Sequence, residues 1–554
     1  MRAAPHIPAV PRLRLNRTGI TACAALLLVS LLALMPGIAS LPVTDRDEAR
    51  FAQASRQMAV SGDWVDIRLQ DAPRYKKPVG IYWLQATAVT LSGQGAQSAI
   101  WLHRLPSLLS AALACVALSW AGRPVVGPRA AAMAGLMLSA TLIVQVEARL
   151  ATTDAALLLA SVVAMGALFR AVLGQAGIGV AAAFWLAVSA GLLLKGPVIL
   201  LPVAGLLLWL GLMQRGMPRI TGLYPRHGLA LTAALVLPWF LAIIWRSEGA
   251  FLTESLLGDF GAKLTSGQES HGAPPGSYLL GVLLSFWPWT LFAPLAAASL
   301  WQRRAEIEAR LLAGWVVPAW IVLELVPTKL IHYPMNLYPA LLLAVAACVC
   351  AVADGDRRFR GWLAGAGTAA FLLVLTGLAV LMLLGPIRLG EGVAPLAALG
   401  SGAALLAGCW AVVALWRGGM AVGIGMLWLC GTLMLGTAAG SALPAMRDLW
   451  ISERLAAAGA GHLCGGPVAL AGFHEPSAVF LLGRDTVLTD AETAETLLSD
   501  GRIAGAWIAV PPGAAPTPGA AAQITGLNYA NGRTQRLELV LPDRNPQESC
   551  EARR

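Results

Sequence analysis

Charge is what this chain has least of. Only 13% of its 554 residues are Asp, Glu, Lys or Arg, against 57% apolar, whereas a soluble domain carries roughly one-quarter charged residues. The deficit excludes an ordinary soluble protein and points to a polytopic membrane protein. Apolar runs long enough to cross a bilayer, about 20 residues each, recur to about residue 442. Paired cysteines are also lacking. Six of the eight (Cys23, Cys115, Cys348, Cys350, Cys409, Cys430) lie in apolar runs, where Cys acts as a small hydrophobe. No CxxC pair exists to support a metal knuckle. Cys464 and Cys550 lie in the polar tail and can pair only if that tail meets an oxidising compartment. No internal repeat is visible.

The net charge of +10 does not imply a nucleic-acid partner. The excess is mostly arginine in short loops between spans, the pattern that sets membrane orientation. "MRAAPHIPAVPRLRLNR" holds four arginines and no acid, which puts the N-terminus on the cytoplasmic side of a first span over 18–40. A cleaved signal peptide is the rival reading; the apolar run is long for one, and "GIAS" is a mediocre cleavage site, which favours a retained span. Further spans are expected near 99–121, 130–147, 155–173, 180–194, 197–213, 228–245, 279–301, 311–326, 336–353, 362–384, 396–416 and 420–442, about thirteen in all. The basic loops "GRPVVGPR", "QRGMPRITGLYPRH", "QRRAEIEAR" and "DGDRRFRG" then fall inside, and an odd count places the tail outside. The expected domains are a helical membrane part, 1–443, with a large first outward loop, 41–98, and a soluble tail, 444–554. The tail's helix-like start and short alternating runs ("PVALAGF", "AGAWIAVP", "RLELVLP") read as a small α/β domain.

Charge nevertheless gathers where topology does not require it. "TDRDEARFAQASR" packs three acids and three arginines into thirteen residues. Its apolar Phe51, Ala54 and Met58 predict a helix lying along the membrane surface, with Asp47, Glu48 and Arg50 at its start. Arg74, Lys76 and Lys77 follow among aromatic residues. The outward turns "VEARLATTD", "LLKGP" and "VPTKLIHYP", and the segment 246–278, add more ionisable groups at the same boundary. Cations facing carboxylates suit a site that handles a phosphate-linked sugar. Each residue also has a plainer reading. Asp47 and Glu48 are good helix-start acids, Asp154 is a good span start, and Arg50, Lys195 and Lys329 are plausible interface anchors. His271 sits in a polar loop.

Taken in order, "RDEARFAQASRQMAVSGDWVDIRLQDAPRYKKPVGIYW", "ARLATTD", "LLLKGP", "SHGAPPGSYLLGVLLSFWPW" and "PTKLIHYPMNLYP" resemble the bacterial branch of the protein O-mannosyltransferase superfamily, which includes the lipid A aminoarabinose transferases. The resemblance implies a GT-C glycosyltransferase of the bacterial inner membrane that takes a sugar from a polyprenyl phosphate at the periplasmic face. The acceptor would be lipid A, another envelope glycolipid or glycan, or a protein. By the same resemblance Asp47 is the catalytic loop acid, with Glu48 and Arg50 beside it, and Asp154 is the second acidic position. Lys77 holds the lipid phosphate, with Arg74 and Lys76 adjoining it, and Lys195, His271 and Lys329 face the same cavity. One departure matters: the family usually carries an acid just before the Lys-Pro, and here that residue is Lys76. An ammonium cannot ligate a metal, so a divalent ion is in doubt and no cofactor is assigned. A transporter of lipid-linked sugars is the alternative from another class, but transporters place ionisable groups inside spans, and these spans hold few. An envelope scaffold would leave the loop charges unexplained.

Overall fold

The computed structural model describes residues 17–542, apart from 215, 219, 256–257, 259–271, 464 and 512. His271, Cys464 and Cys550 lie outside the described residues. Eight helices among those described are long and apolar enough to cross a membrane. The apolar segment Gly19–Leu34 of α1 (Arg17–Leu34) is shorter. Two of the eight are two-armed and absorb four of the expected spans. Helix α4 (Ile100–Ser139) breaks at Gly127, where φ is 79° and ψ 165°. Its second arm stops at Ser139, short of the expected end; the remaining residues form a separate helix, α5 (Leu142–Glu147), tied through the Leu142 N–H to the carbonyl of Trp287 at 2.8 Å. Helices α7 (Ile178–Lys195) and α8 (Leu200–Gln214) meet across a 3-10 turn, Gly196–Ile199, entered through Gly196 at φ 65°. The span expected at 279–301 is also interrupted. Helices Ser277–Ser285 and Ala293–Gln302 are separated by a short turn at Trp289–Leu291, because Pro288 offers no N–H to continue the first.

Helix α6 (Asp154–Val172) is the most enclosed, with 83% of its apolar window buried, and packs between α4 and α7. Small residues allow this closeness, as expected where lipid gives helices no hydrophobic reason to associate: a Cβ on Gly166 would lie 2.5 Å from that of Ala121. Gly80 in α3 (Gly80–Ser92) plays the same part, since a Cβ there would lie 2.7 Å from the carbonyl oxygen of Leu193, two residues before Lys195.

The first loop departs from the expected surface helix. Helix α2 (Asp47–Ser61) forms where predicted, ended by Gly62 in the left-handed conformation. Phe51, Ala54 and Met58 pack against Ile67, Tyr75, Val79, Tyr82 and Phe251. Its polar side, however, is buried as well, through Gln53, Ser55, Arg56 and Gln57. Ser55 donates to Gln85 of α3 at 2.8 Å. Gln57 pairs with the backbone of Gln70 and Arg56 donates to Ser98, and the tail adds to this cover.

The tail holds the expected small α/β domain. Its strands are β1 (Val468–Ala471), β2 (Val487–Thr489), β3 (Gly505–Val510), β4 (Ala522–Asn528) and β5 (Arg533–Val540), in the sheet order β2-β1-β3-β5-β4. The β1 pairings are parallel; β3 with β5, and β5 with β4, are antiparallel. Helix Pro476–Leu482 leaves this sheet and lies against α2. Arg56 donates to the Phe480 carbonyl at 2.8 Å and stacks 3.6 Å from the centre of its ring. Gln70 donates to the carbonyls of Arg484 and Thr486, and Arg484 pairs with Asp71 at 2.7 Å. Asp45 donates its N–H to Tyr529 Oη at 2.6 Å, while its carboxyl meets Ser477.

This docking carries a pH signature. Burial, chiefly, with help from the nearby Glu475, pushes the Asp45 carboxyl up to about 6, against the opposing pull of Ser477 and Arg46. The docked state therefore binds protons more tightly than the free loop. Its advantage is full below about 3.8 and is lost as pH rises through about 6. Amide protection of 475–482, corrected for intrinsic exchange rates, should fall over this window. Asp45→Asn should flatten the dependence.

Candidate active site

Two acids at the start of α2 have opposite surroundings. The Glu48 side chain is 1% exposed. One oxygen accepts from Arg104 Nε at 2.8 Å and the Ala151 N–H at 2.9 Å; the other accepts from the N–H and hydroxyl of Thr44 and from Arg104 Nη2, each at 2.9 Å. Burial alone would lift its pKa, but Arg104 and these donors reverse the effect and hold it below the usual range. Arg104, on α4, also donates to the carbonyls of Ile38, Leu41 and Pro42. Glu48 is thus a latch joining the loop, α4 and the turn before α6, with both oxygens fully engaged. Asp47 points the other way. Its side chain is 62% exposed, and it faces Arg74, 4.0 Å away and only 7% exposed. The residue before it, Arg46, adopts φ 68° and ψ −113°, a strained backbone costing roughly 1–3 kcal/mol.

Arg74 is more than a counter-ion. Its Nε is buried without a hydrogen-bond partner among the described residues, and its guanidinium lies 5.3 Å from the Phe51 ring. Unpaired buried donors are costly, so this group is suited to an incoming anion. Lys76 is exposed and Lys77 half-buried beside it. Arg50, also half-buried, lies on the first turn of α2.

The second acidic position forms a separate buried cluster. Asp154 opens α6, but Thr153 before it makes no side-chain cap. Asp154 instead accepts from Lys195 Nζ at 2.6 Å. His332 lies 3.8 Å from Asp154 through Nε2 and 3.5 Å from Glu147 through Nδ1. Glu147 also accepts from the Thr152 hydroxyl at 2.7 Å, and Lys195 sits 5.3 Å from the Tyr333 ring centre. Lys195, expected to face a substrate cavity, is therefore committed first to Asp154. The peptide N–H of Ala151 on Glu48 links this cluster to the first loop. Lys329 stands apart: its ammonium donates to the carbonyls of Glu324 and Val326 at 2.9 and 2.6 Å, closing the end of helix Ile307–Leu325.

Sequence reasoning missed Glu147, His332 and Arg104. The first two lie inside quoted motifs, and their pairing across two distant turns leaves no local signal. Arg104 stands in an apolar run, where an ionisable residue is itself a reason to look for a partner. No group of three or more His, Cys, Asp or Glu able to hold a metal occurs among the described residues. Lys76 carries the wrong charge for a metal ligand.

The chain superposes on the crystal structure of ArnT from Cupriavidus metallidurans bound to undecaprenyl phosphate with a TM-score of 0.71 at 21% identity, covering 94% of this chain and 97% of that one. The chain has the GT-C fold. An archaeal oligosaccharyltransferase, AglB from Archaeoglobus fulgidus, shares the GT-C architecture more distantly, with a TM-score of 0.53 at 11% identity over 88% of this chain and 69% of the other. Residues 76–245 match the family described as dolichyl-phosphate-mannose-protein mannosyltransferase. Curated relatives include the undecaprenyl phosphate-alpha-4-amino-4-deoxy-L-arabinose arabinosyl transferases of Enterobacter sp. (strain 638), 27% identical over 60% of this chain, and of Pectobacterium carotovorum subsp. carotovorum (strain PC1), 28% identical over 61%. The match spans 61% of the length of each of these relatives. The resemblance read from the loops holds.

The two acids are separable by stability. Glu48→Ala or Arg104→Met leaves a buried charge unpaired and should cost roughly 3–5 kcal/mol, whereas Asp47→Asn should stay within about 0.5 kcal/mol. Equilibrium unfolding in detergent measures both; equal losses would contradict the assignment of Glu48 as the latch.

Proposed function

We propose that this protein is a glycosyltransferase of the bacterial inner membrane. It moves a sugar from a polyprenyl phosphate to an envelope glycolipid, lipid A or a related glycan, at the periplasmic face. The observation that carries the reading is the exposed Asp47 carboxylate held beside the buried, partly unpaired Arg74, with Lys76 and Lys77 next in the chain. The names of the curated relatives support the donor class, a sugar carried on undecaprenyl phosphate. The membrane part, 1–443, would carry the reaction, with the N-terminus cytoplasmic and the tail, 444–554, periplasmic.

In the reaction an acceptor oxygen attacks the anomeric carbon. The bond from that carbon to the phosphate oxygen breaks, and the electron pair leaves on polyprenyl phosphate. Arg74 and Lys77 would receive the charge that grows on the departing phosphate, with Lys76 and Arg50 adding positive potential. Asp47 would orient the acceptor, or take its proton where that acceptor is a hydroxyl. Asp154, paired with Lys195 and His332, would give the pocket wall its charge pattern. Transfer to protein is the second reading, favoured by the description of the matched family. Carriage of a lipid-linked sugar across the bilayer fits less well, because these groups gather at helix ends and loops rather than mid-span.

Purified Asp47→Asn, assayed with labelled polyprenyl-phosphate sugars, should lose at least about a hundredfold in kcat; wild-type turnover would remove Asp47 from the reaction. Arg74→Ala should weaken donor use by roughly ten- to a hundredfold, the worth of a hydrogen bond to a charged group. The glycolipid mass spectrum of a deletion strain, lacking one sugar mass, would identify the acceptor.

A further inference from the structure

The strained residue before Asp47 is held by the tail. Arg46 has a φ of 68° and ψ of −113°, a combination open to glycine but disfavoured for any residue with a Cβ. Its carbonyl accepts the Arg50 N–H at 3.2 Å, and its side chain is gripped by residues more than four hundred positions later. Its guanidinium donates to the Ala530 carbonyl at 3.4 Å, and its Nε lies 3.6 Å from Glu475 Oε2. Glu475 is itself fixed: it is 8% exposed, and its other oxygen accepts from Asn528 at 2.9 Å. On the other side of the strained bond, the Asp45 N–H reaches Tyr529 Oη and its carboxyl reaches Ser477. Two residues further on, Glu48 is locked to Arg104. Asp47 therefore sits between two clamps. One belongs to the membrane helices, and the other is built by the soluble tail.

We infer that the tail is a positioning element for Asp47, acting through Glu475 and Tyr529 on the backbone at Asp45 and Arg46. The inference rests on the reading of Asp47 as the reacting acid. It gives the tail a part in the transfer step without any contact with substrate. When the tail's hold is weakened, Arg46 relaxes toward ordinary backbone angles and swings the neighbouring carboxylate away from its place beside Arg74. The loss should appear in kcat, while donor KM, set by Arg74 and Lys77, stays nearly constant.

Glu475→Gln keeps an acceptor for Asn528 but removes the charge facing Arg46. It should lower kcat about ten- to a hundredfold, the effect of a misplacement of about 1 Å, with donor KM within about twofold. The discriminating step is the Arg46→Gly background. Glycine adopts this conformation without the tail's help, so adding Glu475→Gln there should change kcat by less than about twofold. A merely structural role would give additive losses in the two backgrounds. Tyr529→Phe serves as a second variant should Glu475→Gln fold poorly, and should show the same split between kcat and KM. Wild-type kcat in either folded variant, or additive losses in the glycine background, overturns the inference. Asp47→Asn run alongside keeps the two ideas apart. If it is inactive while Glu475→Gln is normal, only the tail's role fails; if it is active, the assignment of Asp47 fails.

Discussion

The Arg104 guanidinium is buried where helices meet the first loop, and the geometry of that loop follows from how its charge is met. Isolated in such surroundings, it would cost several kcal/mol even after relaxation. Glu48 supplies the opposite charge, and three carbonyls from the 38–42 segment supply the remaining acceptors. Because Glu48 is the second residue of α2, satisfying Arg104 also fixes where that helix starts. Because Glu48 also takes the Ala151 N–H, it sets the distance from α2 to the turn that carries Asp154. A single ion pair thus registers two motifs that lie about a hundred residues apart in sequence.

The remaining charges divide by burial. Around Asp154 two carboxylates, one ammonium and one imidazole pair with one another in a largely enclosed space. Around Asp47 the balance is left open. An exposed carboxylate faces a buried guanidinium with an unused donor, beside an exposed lysine. This is the imbalance expected of a surface that completes itself with an anionic ligand. Preorganised donors of this kind stabilise developing charge without having to reorganise during reaction.

Much of this was legible in the sequence because it was written locally. The scarcity of charge gave the helical membrane part, alternating apolar runs gave the tail's sheet, and "RDEARF" gave the start of α2. Helix breaks were legible only in part. "LLLKGP" marks the bend at Gly196, whereas the stop at Ser139 depends on a backbone contact with Trp287, far along the chain. The difference between Asp47 and Glu48 was not legible at all. Adjacent acids on a helix look alike until Arg104, 56 residues away from Glu48, chooses one of them. The burial of the polar side of α2 was hidden for a similar reason: part of its cover is the tail's helix, whose Phe480 carbonyl meets Arg56 from 424 residues away.

That covering helix also bears on how the protein is made. Arg56 and the Phe480 carbonyl it needs are separated by 424 residues, so the first loop emerges from the membrane long before its cover has been synthesised. Until then Arg56 lacks the Phe480 carbonyl and ring that complete its surroundings. The loop's last shape is reached only once nearly the whole polypeptide has been translated and the tail has crossed to the same side. A chain cut short by premature termination could place its helices in the bilayer and still never finish its first loop. The fold thereby ties completion of the site to completion of the chain.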